Sequence, residues 1–90
     1  MYHCYVCGAP AEEPPWGNDG RTPLFEICPC CGCEFGYQDA STKGIESLRA
    51  QWLAGGGNWR DTTFKPAGLN LEEQLSQIPK ALPVGIVKNS

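Results

Sequence analysis

The stretches C-Y-V-C-G at residues 4–8 and C-P-C-C-G at residues 28–32 decide the fold, because each carries a Cys-x-x-Cys pair followed by glycine. Twenty residues lie between the two pairs, at the upper edge of the spacing found in tetrahedral four-cysteine metal sites. The two-residue gap lets both sulfurs of a tight turn point at one ion, and glycine tolerates the left-handed backbone that such turns often need. The sequence therefore predicts one metal site. Its predicted ligands are Cys4, Cys7, Cys28 and Cys31.

Closed sites of four cysteine thiolates are typical of structural zinc, whereas catalytic zinc keeps an open position and usually has histidine or carboxylate ligands. The one histidine, His3, adjoins Cys4, and on a strand its side chain would point to the opposite face. We therefore expect one structural Zn2+ and no enzymatic activity. Four thiolates also suit a rubredoxin-like iron, which stays open as an alternative.

Two further cysteines in the second stretch leave the ligand set open. Cys30 and Cys33 also form a Cys-x-x-Cys pair and could replace Cys28 and Cys31, and a cluster of all six thiols is a third arrangement. We favour Cys28 with Cys31, because glycine follows this pair whereas Glu34 follows Cys33. Outside the ligand set, Cys30 and Cys33 are interpreted as packed thiols, with a thiol redox sensor as the alternative hypothesis.

Composition explains why the chain needs a metal. Leu, Ile, Val and Phe account for 17 of the 90 residues, a level at which apolar burial alone struggles to fold a chain. Small chains of this kind usually add disulfides or a structural metal. Residues 1–20 show no secretory signal, and no stretch approaches the roughly 18 apolar residues that cross a bilayer. We therefore expect a cytoplasmic protein without a membrane segment, in which clustered thiols bind metal.

Charge distinguishes the two halves of the chain. Residues 1–40 contain six acidic side chains and one basic one, a net charge of −5, whereas residues 41–90 carry +2. Nucleic-acid-binding proteins usually show a basic surface instead. We therefore expect a protein-interaction module with a protein partner, and a nucleic-acid-binding zinc ribbon is the alternative.

Residues 1–40 are predicted to form a zinc ribbon, in which short antiparallel strands hold the two cysteine turns opposite one another. Alternating side chains favour a strand at residues 2–6, and further strands are expected at 24–27 and 33–39. Trp16 lies in the proline-rich loop between the cysteine pairs and is expected to cover the small core. The fold class is thus a small α+β metal-stabilised domain.

Residues 41–79 are predicted to form a helical extension packed on the ribbon. An apolar stripe predicts a helix near residues 45–54, which the following glycines end. A second short helix is predicted to begin near Asn70, whose side chain would accept from the N–H of Glu73 while Glu73 reaches back, as in a capping box. Residues 80–90 are predicted to be a flexible tail.

The large side chains of this extension are interpreted structurally. Trp52, Trp59 and Phe64 are expected to fill the core, because rings replace the missing aliphatic side chains. Arg49 and Arg60 are expected to be solvated or paired with the acidic ribbon.

The segment E-I-C-P-C-C-G-C-E-F-G-Y-Q-D at 26–39, followed by G-G-G-N-W at 55–59 and L-E-E-Q-L at 71–75, resembles a group of small, mostly bacterial, cysteine-rich CPCC proteins. The resemblance extends from Cys4 to about Ile78. It implies a zinc ribbon with a helical extension. Some relatives in this group lie among toxin and immunity genes, which implies that a toxin is one candidate partner. The resemblance implies no known activity.

Overall fold

The computed structural model describes residues 2–88, and Met1, Asn89 and Ser90 lie outside the described residues. The secondary-structure elements are β1 (Tyr2–His3), β2 (Pro10–Ala11), α1 (Thr42–Ala54), a 3₁₀ turn (Thr62–Phe64) and α2 (Leu71–Ser76). β1 and β2 form a two-stranded antiparallel sheet, with Tyr2 opposite Ala11 and His3 opposite Pro10. The chain is therefore a small α+β structure, as predicted.

The two cysteine stretches reverse the chain in the same way. In the first, the N–H of Gly8 donates to the carbonyl oxygen of Cys4 at 3.0 Å, and in the second the N–H of Gly32 donates to that of Cys28 at 3.0 Å. Gly8 and Gly32 have φ values of 82° and 81°, in the left-handed region that favours glycine. The expected backbone role of both glycines is confirmed.

The two strands predicted on either side of the second cysteine stretch are reduced to a single antiparallel bridge between Ile27 and Glu34. Beyond the bridge, the N–H of Tyr37 donates back to the carbonyl oxygen of Glu34 at 3.1 Å, which turns the chain at once. On the other arm, Phe25 has a φ of 57°, which ends the extended backbone there. The strand predictions at 24–27 and 33–39 were therefore too long.

Helix α1 begins at Thr42, earlier than the sequence pattern predicts, because Ser41 caps it. The Oγ of Ser41 accepts a hydrogen bond from the N–H of Gly44 at 3.0 Å. The helix ends at Ala54, as predicted, and the N–H of the following Gly55 donates to the last turn. Its buried residues are Ile45 and Trp52.

Helix α2 has the predicted cap. The Oδ1 of Asn70 accepts from the N–H of Glu73 at 2.8 Å, which confirms the predicted start of the helix. Glu73 reaches back as expected, but its carboxylate accepts from the side-chain amide of Asn70 at 3.0 Å.

Sulfur atoms and aromatic rings form most of the core. All six cysteines and all three tryptophans are buried in it, as expected for Trp16, Trp52 and Trp59. The expectation for Phe64 was wrong, because this side chain is 65 % exposed. Phe64 ends the 3₁₀ turn, which contributes no buried residue.

Residues 80–88 pack on the rest of the domain, where the sequence predicts a flexible tail. The N–H of Val87 donates to Ala40, and its carbonyl oxygen accepts from Thr42, both at 2.9 Å. Ile86 is 3 % exposed and belongs to the core. The tail has no helix or strand periodicity, so the sequence does not reveal that these contacts with the start of α1 hold it in place.

Candidate metal centre

The four predicted ligands lie together. The Sγ atoms of Cys4 and Cys31 are 3.8 Å apart and those of Cys7 and Cys28 are 3.6 Å apart, so each contact joins the two cysteine stretches. All four sulfurs lie within 4.8 Å of one another. Zinc–sulfur bonds of about 2.3 Å imply tetrahedral edges of about 3.8 Å, whereas disulfide sulfurs are about 2.05 Å apart. The cluster could therefore hold one metal ion.

Backbone N–H groups of the first stretch point at its sulfurs. The N–H of Val6 donates to the Sγ of Cys4, and the N–H of Ala9 donates to the Sγ of Cys7, both at 3.4 Å. These two donors fix the position of each sulfur relative to the backbone of the turn.

Hydrogen bonds among the buried thiols shift the pKa values of three of them. Hydrogen bonding with Cys31 lowers the pKa of Cys28, whereas hydrogen bonding with Cys28 raises the pKa of Cys7 and of Cys31. Several thiolates in one buried site repel each other, and burial further disfavours their charge. A divalent cation would compensate this charge and permit all four sulfurs to ionise.

Cys30 and Cys33 are buried outside this cluster. The Sγ of Cys30 accepts a hydrogen bond from the Nε2 of Gln74 at 3.2 Å. Burial raises the pKa of the Cys33 thiol, and Asp39 adds to the increase. Among the described residues, the cysteine group that could hold a metal contains neither of these two thiols. The geometry therefore favours Cys28 with Cys31 over the rival pair.

Gln74 connects α2 to both cysteine stretches, a role that the sequence analysis missed. Its Nε2 also donates to the carbonyl oxygen of Cys7 at 3.0 Å, and its Oε1 accepts from the indole N–H of Trp59 at 3.0 Å. The side chain is 2 % exposed. Gln74 follows Leu71 by three positions, on the apolar face of the helix, and that position was the available signal.

The side chain of Arg49 in α1 forms hydrogen bonds to the backbone of the first cysteine stretch. Its Nε donates to the carbonyl oxygen of Val6 at 2.7 Å, and its Nη2 donates to that of Tyr5 at 2.8 Å. The expectation of a solvated or acid-paired Arg49 was therefore wrong. Its guanidinium instead satisfies two carbonyl groups beside the cluster.

Arg60 has the corresponding place on the second stretch. Its side chain lies over Gly32, in the space that a Cβ at this glycine would need. Its N–H donates to the carbonyl oxygen of Cys30 at 3.1 Å. Each cysteine stretch thus contacts one arginine, and these cations would offset the negative charge of a tetrathiolate site.

Comparison with known proteins gives two similar proteins from Bacillus subtilis (strain 168). The uncharacterized protein YozI is 42 % identical over 72 residues, which cover 62 % of this chain and 60 % of the relative. The uncharacterized protein YoaQ is 40 % identical over 40 residues, which cover 42 % of this chain and 33 % of the relative. The chain therefore spans less than two thirds of the length of either relative. No family model and no solved structure matches the chain.

The helices give no sign of a membrane segment. Within residues 2–88, none of them is both long and apolar enough to cross a bilayer.

Proposed function

We propose that this chain is a zinc-binding protein-interaction module, a zinc ribbon in which four cysteines hold one structural Zn2+. The observation that supports it is the convergence of four buried sulfurs at spacings that suit a tetrathiolate ion. The proposed ligands are Cys4, Cys7, Cys28 and Cys31.

A structural role for the metal is part of the proposal. Four sulfur ligands complete a tetrahedron and leave no position for a water molecule or a substrate. Three of the four cysteines are no more than 1 % exposed and Cys31 is 9 % exposed, so solvent has little access to the ion. The module therefore has no enzymatic activity in this proposal, and it acts in a reducing cytoplasm, where its thiols stay available to the metal.

A protein partner is proposed because of the surface next to the metal centre. Residues 1–40 carry a net charge of −5, which opposes binding to phosphate backbones. Large apolar side chains nevertheless face solvent there, with Phe25 61 % and Ile27 55 % exposed. Exposed apolar side chains within an acidic surface are typical of protein-binding sites. The CPCC resemblance and a toxin partner stay predictions.

Metal content tests the first half of the proposal. Purified protein should contain one zinc per chain by elemental analysis, and it should be colourless, because tetrathiolate iron absorbs visible light. Cys28→Ser should lose the metal, whereas Cys30→Ser is the matched control and should retain it. A folded wild-type chain without stoichiometric metal would contradict the proposal.

Partner capture tests the second half. Zinc-loaded chain, immobilised and crosslinked in a lysate of its source organism, should retain a specific protein that mass spectrometry identifies. A gel-shift assay at low salt should show no nucleic-acid binding. Tight, salt-sensitive binding of DNA or RNA would favour the nucleic-acid alternative instead.

A further inference from the structure

A groove of about 890 Å³ lies between the two cysteine hairpins. One wall is the chain segment 9–13, which includes β2, and the other is the segment 24–29, except for Phe25. Phe35, which is 5 % exposed, and Phe64 contribute aromatic surface to it. Both walls continue directly from the cysteine stretches, and Cys4 and Cys28 themselves line the groove.

The second wall offers an unpaired backbone edge. Residues next to Ile27 and Glu34 make the hydrogen bonds of the bridge between these two residues. The N–H of Cys28 donates to the carbonyl oxygen of Cys33 at 2.8 Å, and the N–H of Phe35 donates to that of Glu26 at 3.0 Å. In an antiparallel pair of this kind, the N–H and carbonyl groups of Ile27 point away from its partner. No hydrogen bond to these two groups is found within residues 2–88. Such an edge can accept an added strand.

The charged side chains that line the groove are all acidic. Glu12, Glu13 and Glu26 line it and are exposed, and no lysine or arginine is among its lining residues. Apolar surface between these carboxylates comes from Leu24, Ile27 and the two phenylalanines. A complementary ligand therefore combines apolar side chains with positive charge.

We propose that this groove binds an extended segment of a partner protein in which apolar residues alternate with lysine or arginine. Main-chain hydrogen bonds to Ile27 add the segment as a strand at the free edge. Alternate side chains of a strand point to opposite faces, so the apolar ones contact the aromatic surface while the basic ones reach the glutamates. This inference rests on the proposed function and names the chemistry of the partner.

The probe is a capped octapeptide that alternates valine and lysine, titrated into zinc-loaded, full-length, ¹⁵N-labelled protein. We expect the largest amide shifts at Glu12, Glu26 and Ile27. An octapeptide that alternates valine and glutamate is the matched control and should not bind. Shifts centred elsewhere, equal binding of the two peptides or no binding of the valine–lysine peptide would overturn the proposal.

Charge reversal separates groove binding from general attraction to an acidic protein. Glu26→Lys should weaken binding of the valine–lysine peptide about fivefold, within the range of one rim charge pair. Glu46→Lys, on the exposed surface of α1 and outside the groove, makes the same change in net charge and should leave the affinity nearly unchanged. Equal effects of the two substitutions would overturn the groove as the binding site.

The failure of this inference can be distinguished from failure of the proposed function. If the chain captures a specific protein and Glu26→Lys retains it as well as Glu46→Lys does, the interaction function stands and the groove assignment fails. If wild-type chain captures no protein, the proposed function fails.

Discussion

At the scale of single residues, the glycine after each cysteine pair does more than permit a turn. Gly8 combines a φ of 82° with close contact to α2, because a Cβ there would collide with the carbonyl oxygen of Gln74. Gly68 has a similar φ of 79°, but a Cβ there would meet nothing within 4 Å. A comparison of substitutions at the two glycines therefore separates the cost of left-handed backbone from the cost of close packing.

We expect Gly8→Ala to destabilise the zinc-loaded protein well beyond Gly68→Ala. Left-handed backbone costs an alanine about 1–2 kcal/mol at either position. At Gly8 the added methyl group must also displace backbone, which costs about 1–3 kcal/mol more. Chemical denaturation monitored by circular dichroism measures both free energies of unfolding. Equal losses would show that α2 does not press on the first cysteine turn.

Gln74 provides a second residue-scale prediction. Gln74→Leu introduces a side chain of similar size but leaves the indole N–H of Trp59 and the carbonyl oxygen of Cys7 without their partner. An unsatisfied buried group costs about 1–3 kcal/mol, so the free energy of unfolding should fall by at least this much while one zinc stays bound. Gln51→Leu, on the exposed face of α1, is the control and should change stability little. A neutral Gln74→Leu would contradict the bridging role.

At the scale of elements, each helix contacts the cysteine stretches through one polar side chain. Arg49 connects α1 to the first stretch, and Gln74 connects α2 to both. These bonds add to the apolar packing of the helices on the core, in which Ile45 and Trp52 of α1 are buried. The helices therefore support the cysteine stretches through apolar packing and a small number of directional bonds.

We expect Arg49→Met to lower the free energy of unfolding by about 2 kcal/mol, because hydrogen bonds from a charged donor contribute about 1.5–3 kcal/mol. Arg49→Lys keeps the charge but lacks the planar fork, so it should recover only part of this loss. Arg21→Met, on the exposed loop, is the control. Thermal denaturation of the zinc-loaded variants compares the three. If Arg49→Lys matched wild type, charge alone would explain the role of Arg49.

The elements show which features a sequence can reveal. The cap at Asn70 and the glycine end of α1 were predictable, because they depend on residues within one turn. The hydrogen bonds of Arg49 and Gln74 to the cysteine stretches join residues 43 to 67 positions apart. No local pattern encodes such partners. The strands were overestimated because the turns after Glu34 and at Phe25 interrupt an otherwise strand-like composition.

At the scale of the whole molecule, buried cysteine sulfurs and aromatic rings take the place of a core of aliphatic side chains. The four clustered cysteines and the glycine after each pair were predictable, because both Cys-x-x-Cys-Gly stretches can be read directly from the sequence. The burial of Ile86 and the exposure of Phe64 were not predictable, because each depends on contacts that form only in the folded structure. Both exceptions lie outside regular helix and strand.

We expect removal of zinc to unfold the domain. Binding of structural zinc contributes about 10 kcal/mol or more at neutral pH, which equals the stability of many whole domains. A strong chelator should abolish the cooperative thermal transition and most of the far-ultraviolet circular dichroism, and added zinc should restore both. Cys30→Ser should respond in the same way as wild type. An unchanged transition in chelator would contradict metal-supported folding.

The bond between Trp59 and Gln74 provides the protein with an intrinsic optical reporter. The indole of Trp59 is 8 % exposed, and its partner amide also contacts Cys7 and Cys30. Loss of the ion would release this indole to water, and its fluorescence emission would move to longer wavelength. Replacing Trp16 and Trp52 by phenylalanine would leave Trp59 as the single tryptophan, whose emission wavelength would follow metal occupancy in real time without an attached dye.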